Sequence, residues 1–184
     1  MDRDYKRLTK FLVDEGIEDV PHTQKTYLGH LIAVHRFMEE EGLEEAVCRG
    51  GMFHSIYGTE RFQGFKLPLE RREELSKLIG EWAERLAYMN CAMDRASFDQ
   101  ALANESEPFR FRDRITGDEF ALSRGEFDDL CRVHLYDWLE QVPRSEYGWG
   151  YRRTAYIRMA QRLGERTMAT YKRIFASEPA VTAR

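Results

Sequence analysis

From residue 2 to residue 15 charged positions alternate with Tyr5, Leu8, Phe11 and Leu12, the stripe of an amphipathic helix that Gly16 ends. Thr23 is then placed to cap a second helix, TYLGHLIAVHRFMEEEG, which closes at Gly42. A third helix, LEEAVCRGGMFHSI, is short and ends near Gly58, and the polar stretch TERFQGFKLP reads as a loop with Pro68 placed to open the next helix. The segment LERREELSKLIGEWAERLAYMNCAMDRASFDQAL is helical in two or three pieces. One stretch has a period of two instead: FRFRDRI and EFAL flank Thr116-Gly117-Asp118, which predicts a β-hairpin near residues 109–122. Ser123 caps a further helix, RGEFDDLCRVHLYDWLEQV, that Pro143 ends, and a last helical stretch runs from about Gly150 to Phe175. The pattern predicts an all-α bundle with one small inserted hairpin, a single domain over 1–176 and a frayed tail over 177–184.

Composition narrows the function classes. A net charge of −4 gives no global reason to expect a nucleic-acid or membrane-surface partner. The three cysteines, Cys48, Cys91 and Cys131, are odd in number and form no CxxC pair. That argues against a disulfide framework and a thiolate zinc site, and it fits a reducing compartment. The start, MDRDYKRLTK, lacks an apolar core and predicts no signal peptide, and no apolar run approaches the roughly 20 residues of a membrane span. A cytoplasmic location is the expectation.

The candidate chemistry lies with histidines. Of His22, His30, His35, His54 and His134, His30 sits among Leu28, Leu31, Ile32 and Val34 in a helix that reads as largely buried. His35 is five residues further on and about 140° around the helix, so the two do not easily share one ion. His54 ends the next helix, after the glycines of GGMFHSIYGTE. Spacing alone leaves open whether His30 and His54 meet. Asp94, in LAYMNCAMDR, is a carboxylate in an otherwise apolar helical segment with Asn90 one turn before it; it is either a ligand, since a buried carboxylate needs a compensating partner, or a capping or hydrogen-bonding group at a helix end beside Arg95. Two imidazoles and one carboxylate suit a divalent transition metal with open positions. His35 and His134 are expected at ordinary surface or half-buried positions, and His22 at the start of the second helix, from where it can reach the pocket.

The order TYLGHLIAVHRF, then a short helix ending FHS, then a later helix carrying MDR, resembles the HD-domain superfamily, in a branch with His-Ser where most relatives have His-Asp. The resemblance covers roughly residues 15–145. It implies an α-helical bundle in which His30, His54 and Asp94 bind a divalent ion such as Mn, Fe, Zn or Ni. Ser55 is a poorer ligand than aspartate, so one ion is expected rather than two. The resemblance further implies a metal-dependent hydrolase of a small phosphorylated or otherwise anionic substrate, with Glu60 as general base or extra ligand. Arg61, Arg71 and Asn90 are then the candidates for binding substrate. The alternative is a degenerate HD fold without catalysis that binds a small anionic ligand or a protein partner. Arg110, Arg112 and Arg114 alternate along the hairpin and can grip an anion or serve solubility and packing. Tyr147, Trp149 and Tyr151, between glycines, can lid a pocket or fasten the last helix to the core.

Overall fold

The computed structural model describes residues 3–22 and 25–180. Helix α1 spans Arg3–Asp14, and Gly16, with φ 73°, turns the chain out of it. Two short antiparallel strands follow, β1 (Pro21–His22) and β2 (Lys25–Thr26), a pairing the sequence pattern did not predict. Helix α2 covers Tyr27–Glu40 and is capped by Thr26, whose side chain accepts from Gly29 N at 3.1 Å. The expected cap, Thr23, lies outside the described residues. Helix α3 is Glu45–Met52, and a tight turn then carries the chain through His54 to Gly58.

The long helical stretch that follows breaks into three: α4 (Arg72–Ile79), α5 (Glu81–Ala92) and α6 (Arg95–Asn104). The hairpin forms where the period of two predicted it. Strand β3 (Phe109–Arg112) pairs antiparallel with β4 (Glu119–Leu122), and Gly117 takes φ 84° in the turn between them. Helix α7 spans Arg124–Gln141, opened by a capping box in which the Glu126 carboxylate accepts from Ser123 N at 2.9 Å. The final stretch is two helices, α8 (Arg153–Arg162) and α9 (Glu165–Phe175), separated at Gly164 with φ 96°. Among the described residues no helix is long and apolar enough to cross a membrane.

Two apolar clusters meet along α5. One gathers Leu12, Leu31, Phe53, Ile56 and Leu75 beneath α1, α2 and α4. The other gathers Met89, Phe98, Phe111, Phe127 and Tyr156 beneath the hairpin, α7 and α8. Helix α7 packs against α2, α3 and α5 and so borders both. Two of the three arginines of the hairpin are engaged by protein: Arg110 pairs with Glu119 at 2.5 Å, and Arg114 donates to the Gly58 and Cys91 carbonyls, each at 2.7 Å.

Helix α3 needs its glycines because neighbours crowd it. A Cβ on Gly50 would meet Leu86 Cβ at 3.0 Å and the Ala83 carbonyl at 3.3 Å; on Gly51 it would meet the Met38 sulfur at 2.2 Å. Met38 is flexible and can move, whereas Leu86 Cβ and a helix carbonyl cannot without shifting α5. Gly50→Ala is therefore expected to destabilise the fold by roughly 1–3 kcal/mol, the cost of overpacking a filled core. Urea unfolding measures this, and an unchanged midpoint would contradict the packing account.

Candidate metal centre

Helix α2 places His30 on its buried side at 0% exposure, and the turn after α3 places His54 at 2%. The two rings stand edge to face with centroids 5.1 Å apart. Facing both is Asp137 on α7, 9% exposed. Its Oδ1 lies 3.1 Å from His30 Nε2 and 3.2 Å from His54 Nε2, and it accepts from Gln141 Nε2 at 2.8 Å. One ligand atom from each of His30, His54 and Asp137 falls within 4.8 Å of the other two, so these three buried residues could hold a metal ion.

Asp94 does not take part. It is the N-cap of α6, where its carboxylate accepts from Ser97 N at 2.8 Å, a bond that lowers its pKa. Of the two roles the sequence left to Asp94, the cap is the one it takes: the chain breaks between α5 and α6 at Met93, whose ψ of 132° is extended. Asp137 stands where Asp94 was expected. The signal for it was available: an acid flanked by Leu135, Tyr136, Trp138 and Leu139, large apolar residues on both sides of it in the helix, must have a partner.

The hydrogen-bond donors and acceptors bear on whether a cation fits. His54 Nδ1 lies 2.7 Å from the Gly51 carbonyl, which can only accept, so Nδ1 carries a hydrogen. A neutral ring then presents a bare Nε2 to the Asp137 oxygen, lone pair against lone pair. His30 repeats the arrangement, with Nδ1 2.7 Å from Glu140 Oε2 and Nε2 toward Asp137. Burial works against a charged His30, but Asp137 and Glu140 more than offset it and hold its pKa above the ordinary value. Burial likewise pushes the Asp137 carboxyl up, and His54 and His30 reverse this, leaving it well below the usual range. Two ways exist to relieve the contacts: a second proton on each of two adjoining rings, or one cation shared by all three donors. Metal-binding histidines characteristically donate their other N–H to a carbonyl or carboxylate, as each ring does here.

His54 and Asp137 form part of the wall of a cavity of about 250 Å³ that also takes in Arg61, Arg95, Glu146, Tyr147 and Tyr151. Arg95 donates to Tyr151 Oη at 2.8 Å and lies 3.7 Å from the Glu60 carboxylate. Glu60 itself is exposed and does not line the cavity, and Glu146 does. Arg71 is remote from it: its guanidinium is engaged by Glu15 and Glu74, each through two bonds between 2.7 and 2.8 Å. Asn90 is buried behind the centre, donating to the His54 carbonyl at 2.8 Å and meeting His134 Nδ1 at 3.0 Å, so it faces protein rather than the cavity.

Ser55 lines the cavity, yet its hydroxyl bonds Tyr27 Oη at 2.9 Å. His35 and His134, expected at the surface or half buried, are both buried. The side chain of His22 lies outside the described ones. Of the aromatic trio, Tyr147 and Tyr151 stack at 5.0 Å over the cavity, while Trp149 packs on Phe175 of α9.

A family described as a domain of unknown function (DUF6817) matches residues 11–95, a span that includes His30 and His54 and stops short of Asp137. Comparison with curated proteins finds no match, and comparison with solved structures finds none either.

The two aspartates separate experimentally. Asp94→Ala removes a cap and is expected to cost about 1 kcal/mol, while leaving any thermal stabilisation by Mn²⁺, Zn²⁺ or Ni²⁺ intact. Asp137→Asn is expected to abolish that stabilisation, which follows from mass action on the native state. Thermal melts with and without each ion decide between them, and stabilisation surviving in Asp137→Asn would rule out this centre.

Proposed function

We propose that the protein is a metal-dependent hydrolase of HD type acting on a small phosphorylated or otherwise anionic substrate. The observation that carries this reading is the convergence of two imidazole Nε2 atoms on one buried carboxylate at the wall of a cavity that also presents two arginines. The order of ligands along the chain, a histidine on α2, a histidine ending α3 and an aspartate on a later helix, follows the HD pattern with Asp137 in the last place. Nitrogen and oxygen donors in this set suit Mn, Fe, Zn or Ni. A single ion is favoured, because the His-Asp pair of other HD proteins is here His54-Ser55 and the serine hydroxyl is bonded to Tyr27.

Such an ion supplies Lewis-acid activation of water and of a phosphoryl oxygen when bound. The protein's own groups do the rest. Arg95, braced by Tyr151 and mostly buried, and Arg61 at the exposed rim neutralise the anionic group of the substrate. Tyr147, Tyr151 and Phe62 narrow the cavity and exclude water. Glu146 is better placed than Glu60 to take a proton, since it lines the cavity while Glu60 is turned to Arg95. A volume of about 250 Å³ limits the occupant to a small molecule.

A screen of phosphomonoesters and nucleotides, run with each ion and after chelation, tests the reading. Turnover that chelation removes is expected. Asp137→Asn should lose it entirely, and Arg95→Met should cost on the order of 10²-fold in kcat/KM while retaining the ion. Ion binding without turnover on any ester would overturn the hydrolase and leave an anion-binding HD fold.

A further inference from the structure

Behind the metal centre runs a chain of polar groups that the proposed hydrolysis does not use. It begins at Asp99 on α6, which accepts from Arg152 Nε at 3.3 Å and also from its Nη2. Arg152 Nη1 lies 2.7 Å from His134 Nε2, His134 Nδ1 lies 3.0 Å from Asn90 Oδ1, and Asn90 Nδ2 donates to the His54 carbonyl at 2.8 Å. The direction of every bond is dictated. A guanidinium only donates, so His134 Nε2 must accept and its hydrogen must sit on Nδ1. Nδ1–H requires an acceptor, which orients Asn90 with its oxygen toward α7 and its amide nitrogen toward His54. Burial and the charge of Arg152 both disfavour protonated His134, in keeping with the neutral form that this sequence of bonds needs.

Each end of the chain is informative. At one end, the His54 carbonyl belongs to the residue whose ring is further fixed by Gly51, so pinning it leaves Nε2 little choice but to face Asp137. At the other end, Arg152 has φ 43°, a left-handed conformation that a residue with a side chain adopts at a cost. It caps α8 directly after the segment 145–151, which contributes Glu146, Tyr147 and Tyr151 to the cavity wall. Its partners on α6 and α7 hold that conformation in place.

We infer that Asn90, His134 and Arg152 are a positioning relay for His54, fixing its orientation toward Asp137 and tying it to the segment that walls the cavity. The inference rests on the metal reading of the centre above. None of the three touches the three donors' metal-facing atoms, so they act through the backbone of His54.

The test titrates the full chain with Co²⁺, following its visible ligand-field absorption. Wild type is expected to bind with a defined band. His134→Leu breaks the relay in its middle and is expected to weaken Co²⁺ binding by roughly 10–100-fold, the usual effect of removing a group that orients a ligand, and to move the band. His134→Gln retains one acceptor and one donor and should restore most of the affinity. Arg152→Met should weaken binding as well, and the double variant should be no worse than the weaker single one, because both cut the same chain. Leu130→Ala, a buried truncation on α7 off the relay, should lower stability and leave affinity and band unchanged.

Wild-type affinity and band in both His134→Leu and Arg152→Met would overturn the relay, as would an equal loss in Leu130→Ala. Failure of wild type itself to bind Co²⁺ would overturn the metal reading and the relay with it. If His134→Leu does not fold, the comparison of Arg152→Met with Leu130→Ala decides.

Discussion

A carboxylate taken out of water must be given a partner, and the arrangement of the bundle follows from how Asp137 is given its own. An unpaired ion in an apolar interior costs several kcal/mol even after relaxation. Helix α7 is buried on nearly every side around Asp137, so solvent compensates it only weakly. The Gln141 amide donates to it, and two imidazole Nε2 atoms face it, offsetting its charge once a proton or a shared cation lies between them. To supply them, α2 and the turn after α3 must both reach α7 at one point, and that requirement sets how the two apolar clusters join.

Close approach and polar bracing make the meeting possible. Gly50 and Gly51 let α3 lie against α5 and α2 at distances that a methyl group would obstruct. Asn90 then holds the turn from behind, and Cys91 reaches the same His54 carbonyl at 3.2 Å. The contrast between the two sides of the centre follows from this. Toward the interior the His54 Nδ1 and carbonyl are engaged by protein, whereas toward the cavity the wall is built partly by exposed residues such as Arg61, Glu146 and Tyr147.

Much of this was legible in residues read singly. His30 and His54 stood out because each interrupts an apolar helix, and burial confirmed that texture for both. The aspartate could not be decided for a physical reason: the break at Met93 has neither glycine nor proline to mark it, so Asp94 read equally as a ligand within an apolar helix and as a cap, and it is the cap. Arg71 looked available because it follows the His54 loop in sequence, yet Glu15, 56 residues away, occupies it. Asn90, expected to bind substrate, faces the His54 carbonyl and His134 instead, and nothing in its own helix indicates whether it faces a cavity or a backbone carbonyl.

Periodicity and end signals in the sequence determined the helices, the hairpin over 109–122 and the buried faces that carry the two histidines. These depend on neighbours within a turn or two of the chain, where geometry repeats every 3.6 or 2 residues. Which acid meets those histidines was decided only by tertiary structure. His30 and Asp137 are 107 residues apart, so no pattern repeating every few residues records that their helices meet, and a buried aspartate announces only that it needs some partner.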